Sequence, residues 1–148
     1  VVFIRHTTVA QEVDEDSFFY GRATGGTVVS SALIEMQRII DERYPVDDWN
    51  IYVAQASDGH NFRDDMARCQ TMLAQEILPI CQYFAYIEVG EPNFATQPSD
   101  SVLWQGYDDV PQARNFAMRQ VFEPSDIFPV FRDLFAARGL VSDTVAAE

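Results

Sequence analysis

Short apolar runs alternate along this chain with longer stretches in which apolar residues recur every three or four positions, and that alternation restricts the fold more than any other feature. Val1-Val2-Phe3-Ile4 predicts a strand buried on both faces, ending at the polar cluster Arg5-His6-Thr7-Thr8. Val9 to Val13 alternates weakly and predicts an edge strand paired back on the first. The acidic run Glu12 to Asp16 reads as a solvated face, as does Asp41-Glu42. After the loop Gly21 to Thr27, the spacing of Val28, Ala32, Leu33, Met36, Ile39, Ile40 and Tyr44 predicts a helix over 28–43 that stops before Pro45. Asn50 to Ala56 predicts the next strand, ending in Ser57-Asp58-Gly59-His60, and Phe62, Met66, Cys69, Leu73, Ile77 and Ile80 trace one face of a second helix. Tyr83 to Val89 predicts a third buried strand. The long connection from Gly90 to about Arg114 is expected to carry a helical turn near Trp104, which plugs it onto the core. Asn115 to Val121 closes the set of strands. Pro124 suits the first residue of a helix with Ile127, Phe131, Leu134 and Phe135 on its face and an early kink at Pro129.

Strands alternating with amphipathic helices predict an α/β fold, a doubly wound and mostly parallel sheet with helices on both faces. The 148 residues suffice for one domain, expected over 1–138, with 139–148 as a flexible C-terminal tail. In such folds ligands bind beyond the carboxyl ends of the strands, which here collects His6, Thr7, Thr8, Thr27, Ser57, Asp58 and His60 at one edge.

Charge removes several function classes. With 23 acidic residues against ten basic ones, all of them Arg, the net charge of −13 disfavours nucleic-acid binding. The absence of Lys excludes a P-loop lysine and a Schiff base. No apolar run has the roughly 20 residues of a membrane span and no signal peptide is present, so a cytoplasmic protein is expected. Cys69 and Cys81 fall in a stretch read as helix, about 18 Å apart and beyond disulfide reach, which predicts buried thiols in a reducing compartment.

Two short motifs carry chemistry. Gly25-Gly26-Thr27 opens a helix, so its amides suit an anion and its hydroxyl a hard cation; the plainer reading makes Thr27 the helix cap. Asp58-Gly59 follows a strand, and Asp58 serves equally as a turn or cap residue. On one sheet edge, Thr27 and Asp58 together are hard-oxygen ligands suited to Mg²⁺. A zinc site from His6, His60 and Asp58 lacks a fourth ligand, and a Ser57, His6, Asp58 hydrolase lacks a Gly-x-Ser-x-Gly elbow. A Mg²⁺-dependent phosphohydrolase is the better enzyme alternative, although no strand-end Asp-x-Asp pair is present.

The order strand, Gly-Gly-Thr loop, helix, strand, Asp-Gly resembles the von Willebrand factor A domain with its metal-ion-dependent adhesion site. The resemblance assigns a threonine ligand to Thr27 and an aspartate ligand to Asp58. The Asp-x-Ser-x-Ser loop of that family does not occur in this chain. The runs Val-Val-Phe-Ile-Arg-His-Thr-Thr, Gly-Gly-Thr-Val-Val-Ser-Ser-Ala-Leu, Asn-Ile-Tyr-Val-Ala-Gln-Ala-Ser-Asp-Gly, Cys-Gln-Tyr-Phe-Ala-Tyr and Asn-Phe-Ala-Met-Arg further resemble the YeaH/YhbH family of uncharacterised bacterial proteins. That resemblance implies an intracellular binding or scaffold domain associated with a stress-related serine kinase, with a protein partner rather than a known reaction. It also implies that the first, metal-ligating strand belongs between the Val1–Ile4 and Ile51–Ala54 strands and is missing here. The flanking strands are then expected to pair directly or to recruit a strand from a second copy. Metal is expected to bind weakly or not at all, because two oxygen ligands leave most of an octahedral shell to water.

Overall fold

A computed structural model of the chain describes residues 1–22, 25–91, 100–111 and 113–136. The predicted tail at 139–148, much of the 90–114 connection and the side chain of Phe135 lie outside the described residues. β1 (Phe3–His6) pairs antiparallel with β2 (Ala10–Val13), Phe3 facing Val13 and His6 facing Ala10. The acidic run after β2 is not simply a solvated face. Asp14 caps a short helix, α1 (Glu15–Tyr20), by accepting from the Ser17 amide at 2.7 Å, and Glu15 and Asp16 lie in its first turn, where negative charge suits the dipole. Phe18 and Phe19 of α1 stack on Phe3, with ring centroids 5.0 and 5.8 Å away.

The helix α2 (Val29–Arg43) runs as its spacing predicts, burying Val29, Ser30, Leu33, Ile39 and Ile40. Its outer face carries Arg38 between Glu35 and Glu42. Next come β3 (Ile51–Ser57), α3 (Arg63–Met72), β4 (Cys81–Val89), α4 (Val102–Asp108), β5 (Phe116–Val121) and α5 (Ile127–Ala136). A π-helical turn over Leu73–Ile77 extends α3, and a 3₁₀ turn over Pro124–Asp126 leads into α5. The second helical stretch therefore ends earlier than predicted, and Cys81 opens a strand instead of closing a helix. The helix-based spacing argument for the two cysteines thus had a wrong premise, although both are buried free thiols.

The parallel sheet has the order β3-β4-β5, with Ala54 beside Ala85 and Ala85 beside Ala117. β4 is central and nearly all buried, as a strand covered on both faces must be. On one face Phe84, Tyr86 and Phe116 pack with Val29 and Leu33 of α2, Met66, Cys69 and Met72 of α3, and Leu103 and Tyr107 of α4. On the other, Tyr83, Ala85, Ile87 and Val121 pack against Leu134 of α5, whose carbonyl accepts from the Tyr83 hydroxyl at 3.0 Å. Trp104 lies against the first of these cores, as expected.

Three further expectations are corrected. The strands do not form one wide sheet: the described strands make a three-stranded parallel sheet and a separate antiparallel pair, and β1 and β3 do not pair directly. The predicted inner face of α5 is mostly outside, with Ile127 48% and Phe131 40% exposed against 2% for Leu134, because the helix meets the sheet through Val130 and Leu134. Pro129 is the third residue of α5, directly after the 3₁₀ turn. Among the described residues no helix is long and apolar enough to cross a membrane.

Candidate functional site

Three loops meet at the carboxyl ends of β1 and β3. Val28 N donates to Thr7 O at 2.8 Å, tying the Gly-Gly-Thr loop to the end of β1, and Phe62 N donates to Thr27 O at 3.3 Å, tying it to the loop after β3. Gly26 lies under the Phe62 ring and near Thr8, so closely that a Cβ there would stand 2.8 Å from the ring. The predicted gathering of His6, Thr7, Thr8, Thr27 and the Ser57–His60 turn at one edge thus has a structural basis in backbone hydrogen bonds. Thr27 is not the cap of α2: Val28 holds that position and makes no side-chain cap bond. The buried first turn is satisfied from across the site, where Asn61 Oδ1 accepts from Val29 N at 3.1 Å and Asp65 Oδ2 from Ser30 N at 2.9 Å.

Asp58 does not cap α3 either, since Phe62 precedes that helix. It closes a tight turn: Oδ1 accepts from His60 N at 3.1 Å, and Oδ2 lies 3.1 Å from His60 Nδ1. Partial burial works upward on the Asp58 carboxyl, but the His60 hydrogen bonds and charge outweigh it and hold the group below its ordinary value. His6 is shifted the other way for a base. Burial pushes its imidazole down, and the Asp58 charge opposes this without winning. That mutual influence places His6 in the electrostatic reach of Asp58. Among the described residues, His6 Nδ1 on β1 and Gln55 Nε2 on β3 are buried without a hydrogen-bond partner.

Like Asn61 and Asp65, one further residue is not marked out by the sequence motifs. Glu88, at the end of β4, is 4% exposed and accepts from Tyr86 Oη at 2.9 Å, Ser101 Oγ at 2.6 Å and Gln120 Nε2 at 3.4 Å. Its signal was a single carboxylate inside the otherwise apolar run Tyr83 to Val89. Gly59, with φ of +85°, sits directly on it.

The donor set at Thr27 and Asp58 is hard oxygen, as Mg²⁺ takes, but it is short. Among the described residues no three His, Cys, Asp or Glu side chains are grouped to hold a metal ion, so the His6, His60, Asp58 zinc arrangement is not formed by them. Ser57 Oγ accepts from Gly59 N at 3.1 Å, which engages it in the turn.

Residues 1–138 match the family described as Protein of unknown function (DUF444). A UPF0229 protein of Mesorhizobium japonicum is 52% identical over 141 residues, covering 92% of this chain and 32% of the relative. One from Vibrio vulnificus is 54% identical over 136 residues, covering 91% and 31%, and one from Ectopseudomonas mendocina is 51% identical over 140 residues, covering 93% and 32%. The chain spans about a third of the length of the curated relatives it matches. No solved structure matches it. With that family matched across nearly its whole length and relatives more than half identical, the chain belongs to the DUF444/UPF0229 family.

Proposed function

We propose that this chain is the larger part of a von Willebrand factor A-like binding module, of which Thr27 and Asp58 are two of the metal ligands. The observation that carries the reading is the hydrogen-bonded convergence of the β1 end, the Gly-Gly-Thr loop and the Asp58 turn at one edge of a parallel sheet. Thr27 is not used as the helix cap of its plainer reading, whereas Asp58 does hold the turn of its own plainer reading. In this reading the remaining ligands come on a strand lying between β1 and β3, and Mg²⁺ presents an open coordination position to an acidic group of a protein partner. A serine kinase of a stress response is the first partner to test. The 148-residue chain alone holds Mg²⁺ weakly, and its open strand edges favour association with a second copy.

The test uses a UPF0229 relative at full length, titrated calorimetrically with Mg²⁺ with and without replacement of the aspartate that corresponds to Asp58 by Ala. Metal binding lost in the variant, together with metal-dependent capture of the kinase, supports the module. Undiminished binding in the variant overturns it. Metal-dependent hydrolysis of a generic phosphate ester that the substitution abolishes replaces it with the phosphohydrolase reading.

A further inference from the structure

We infer that Glu88 is a positioning residue for the Asp58 turn, an inference that rests on reading that turn as part of the binding site. A carboxyl group buried on the central strand is held there by donors that satisfy it, and here two of those donors, Ser101 and Tyr86, lead to the pieces that define the turn. Ser101, which donates to Glu88 Oε2 at 2.6 Å, is also the N-cap of α4 and accepts from Trp104 N at 3.0 Å. Tyr86, the second donor, has its hydroxyl within hydrogen-bonding reach of Ser57, and Ser57 Oγ in turn accepts from Gly59 N at 3.1 Å. Gly59 O accepts from Leu103 N at 3.1 Å, so the first turn of α4 is fastened to the residue that follows Asp58. Gln120 brings β5 to the other carboxylate oxygen.

Gly59 closes the arrangement from above. A Cβ on it would lie 2.6 Å from Glu88 Oε2 and 2.5 Å from Ser101 Cβ, so the backbone beside Asp58 rests on the carboxylate with no space between. One buried carboxyl group thus joins the end of β3, the end of β4, the start of α4 and β5 beneath a turn whose own carboxylate faces out. A leucine of similar bulk would fill the volume but would leave the Ser101 and Tyr86 hydroxyls without their shared acceptor. A glutamine retains an acceptor oxygen for one of them and an amide that the other can accept from.

The experiment is residue-resolved amide hydrogen exchange on the 148-residue protein and its Glu88→Leu and Glu88→Gln variants, without metal or partner. In Glu88→Leu, exchange at Gly59 and Leu103 accelerates about tenfold or more while Ala85 at the strand centre keeps its protection, and Glu88→Gln recovers most of the loss. Wild-type protection at Gly59 and Leu103 in a folded Glu88→Leu variant overturns the inference, as does an equal loss at Ala85. If Glu88→Leu does not fold, Ser101→Ala asks the same question: faster exchange confined to Gly59 and Leu103 supports the inference, and unchanged exchange there overturns it. Because no metal enters this measurement, its failure is separate from a failure of the Asp58→Ala titration.

Discussion

Gly59 is the residue on which the geometry of the Asp58 turn depends. Its φ of +85° is a conformation that other residues adopt at a cost, and an added methyl would collide with Ser101 Cβ and Glu88 Oε2. Gly59→Ala is therefore expected to lower stability by about 2 kcal/mol or more, visible as a lower urea midpoint, whereas a loss within about 0.5 kcal/mol would show that the turn relaxes freely. His6 gives the edge a pH dependence. Burial depresses its folded pKa below the ordinary 6.5, so at acid pH the unfolded chain takes up a proton that the folded one resists. The His6 contribution is complete above that value and declines as pH falls through it. Asp58 and Asp65, held below 3.8 because hydrogen bonds to His60 and to Ser30 outweigh burial, contribute stability that is lost only at lower pH still. Urea midpoints should then fall in two stages on acidification, and His6→Gln should flatten the first stage alone; an unchanged first stage in that variant counts against the assignment. His6 and Asp58 stand out in the sequence as polar residues at the ends of apolar strands, and Thr27 as the residue after a Gly-Gly turn. Glu88, Asn61 and Asp65 do not, because their partners lie 13, 32 and 35 positions away.

At the scale of elements, α2 begins without a cap of its own and borrows two acceptors from the region that follows β3. Removing either leaves a helix-terminal amide unpaired, so Asn61→Ala and Asp65→Ala should each cost about 1–2 kcal/mol in chemical denaturation, with the double variant less than additive because the acceptors serve adjacent amides. A double variant as stable as the parent protein would mean that water replaces both. Asp65 also accepts from the Cys69 thiol at 3.2 Å, and burial, with Asp65 adding to it, pushes that thiol up to about 12, so it stays protonated and unreactive at neutral pH. The body of α2 and the strands β3, β4 and β5 followed from periodicity, since each buries a face wide enough to dominate its own sequence. Failures came where tertiary geometry overrode that signal. The acidic residues Asp14 to Asp16 are exposed as expected, but α1 itself was missed because a six-residue helix is too short to show a period. The π-helical turn shifts the phase of the helical stretch after Met72, which carried the predicted helix past its end toward Cys81. On α5 the residues were apolar almost all round, so composition did not decide which of them faces the sheet.

Among the described residues the two sheets share no strand pairing. β1 pairs with β2 and β3 with β4, leaving the other edge of each open among the described residues. The same helix nevertheless ties both sheets together: α2 packs Val29 and Leu33 over the parallel sheet, while Arg43 pairs with Glu12 of β2 at 2.6 Å. Beside the open edge of β3, Tyr52 is 59% exposed and Ala54 and Ala56 are exposed too, a run of apolar side chains with no layer above them among the described residues. The two orphan side-chain nitrogens, on His6 and Gln55, belong one to each open strand. Unpaired backbone and uncovered apolar surface on a flat strand favour pairing with another strand. The 148-residue chain should accordingly self-associate with increasing concentration in sedimentation velocity, and Ala54→Lys, which puts a charge beside the open edge of β3, should shift the equilibrium toward monomer by about tenfold. The corresponding substitution in a full-length relative should leave its oligomeric state unchanged if a strand of its own polypeptide already lies there. A monomer at all concentrations, with the β3 amides as protected from exchange as those of β4, would mean that the edge is closed from within and that neither a second copy nor a further strand is called for.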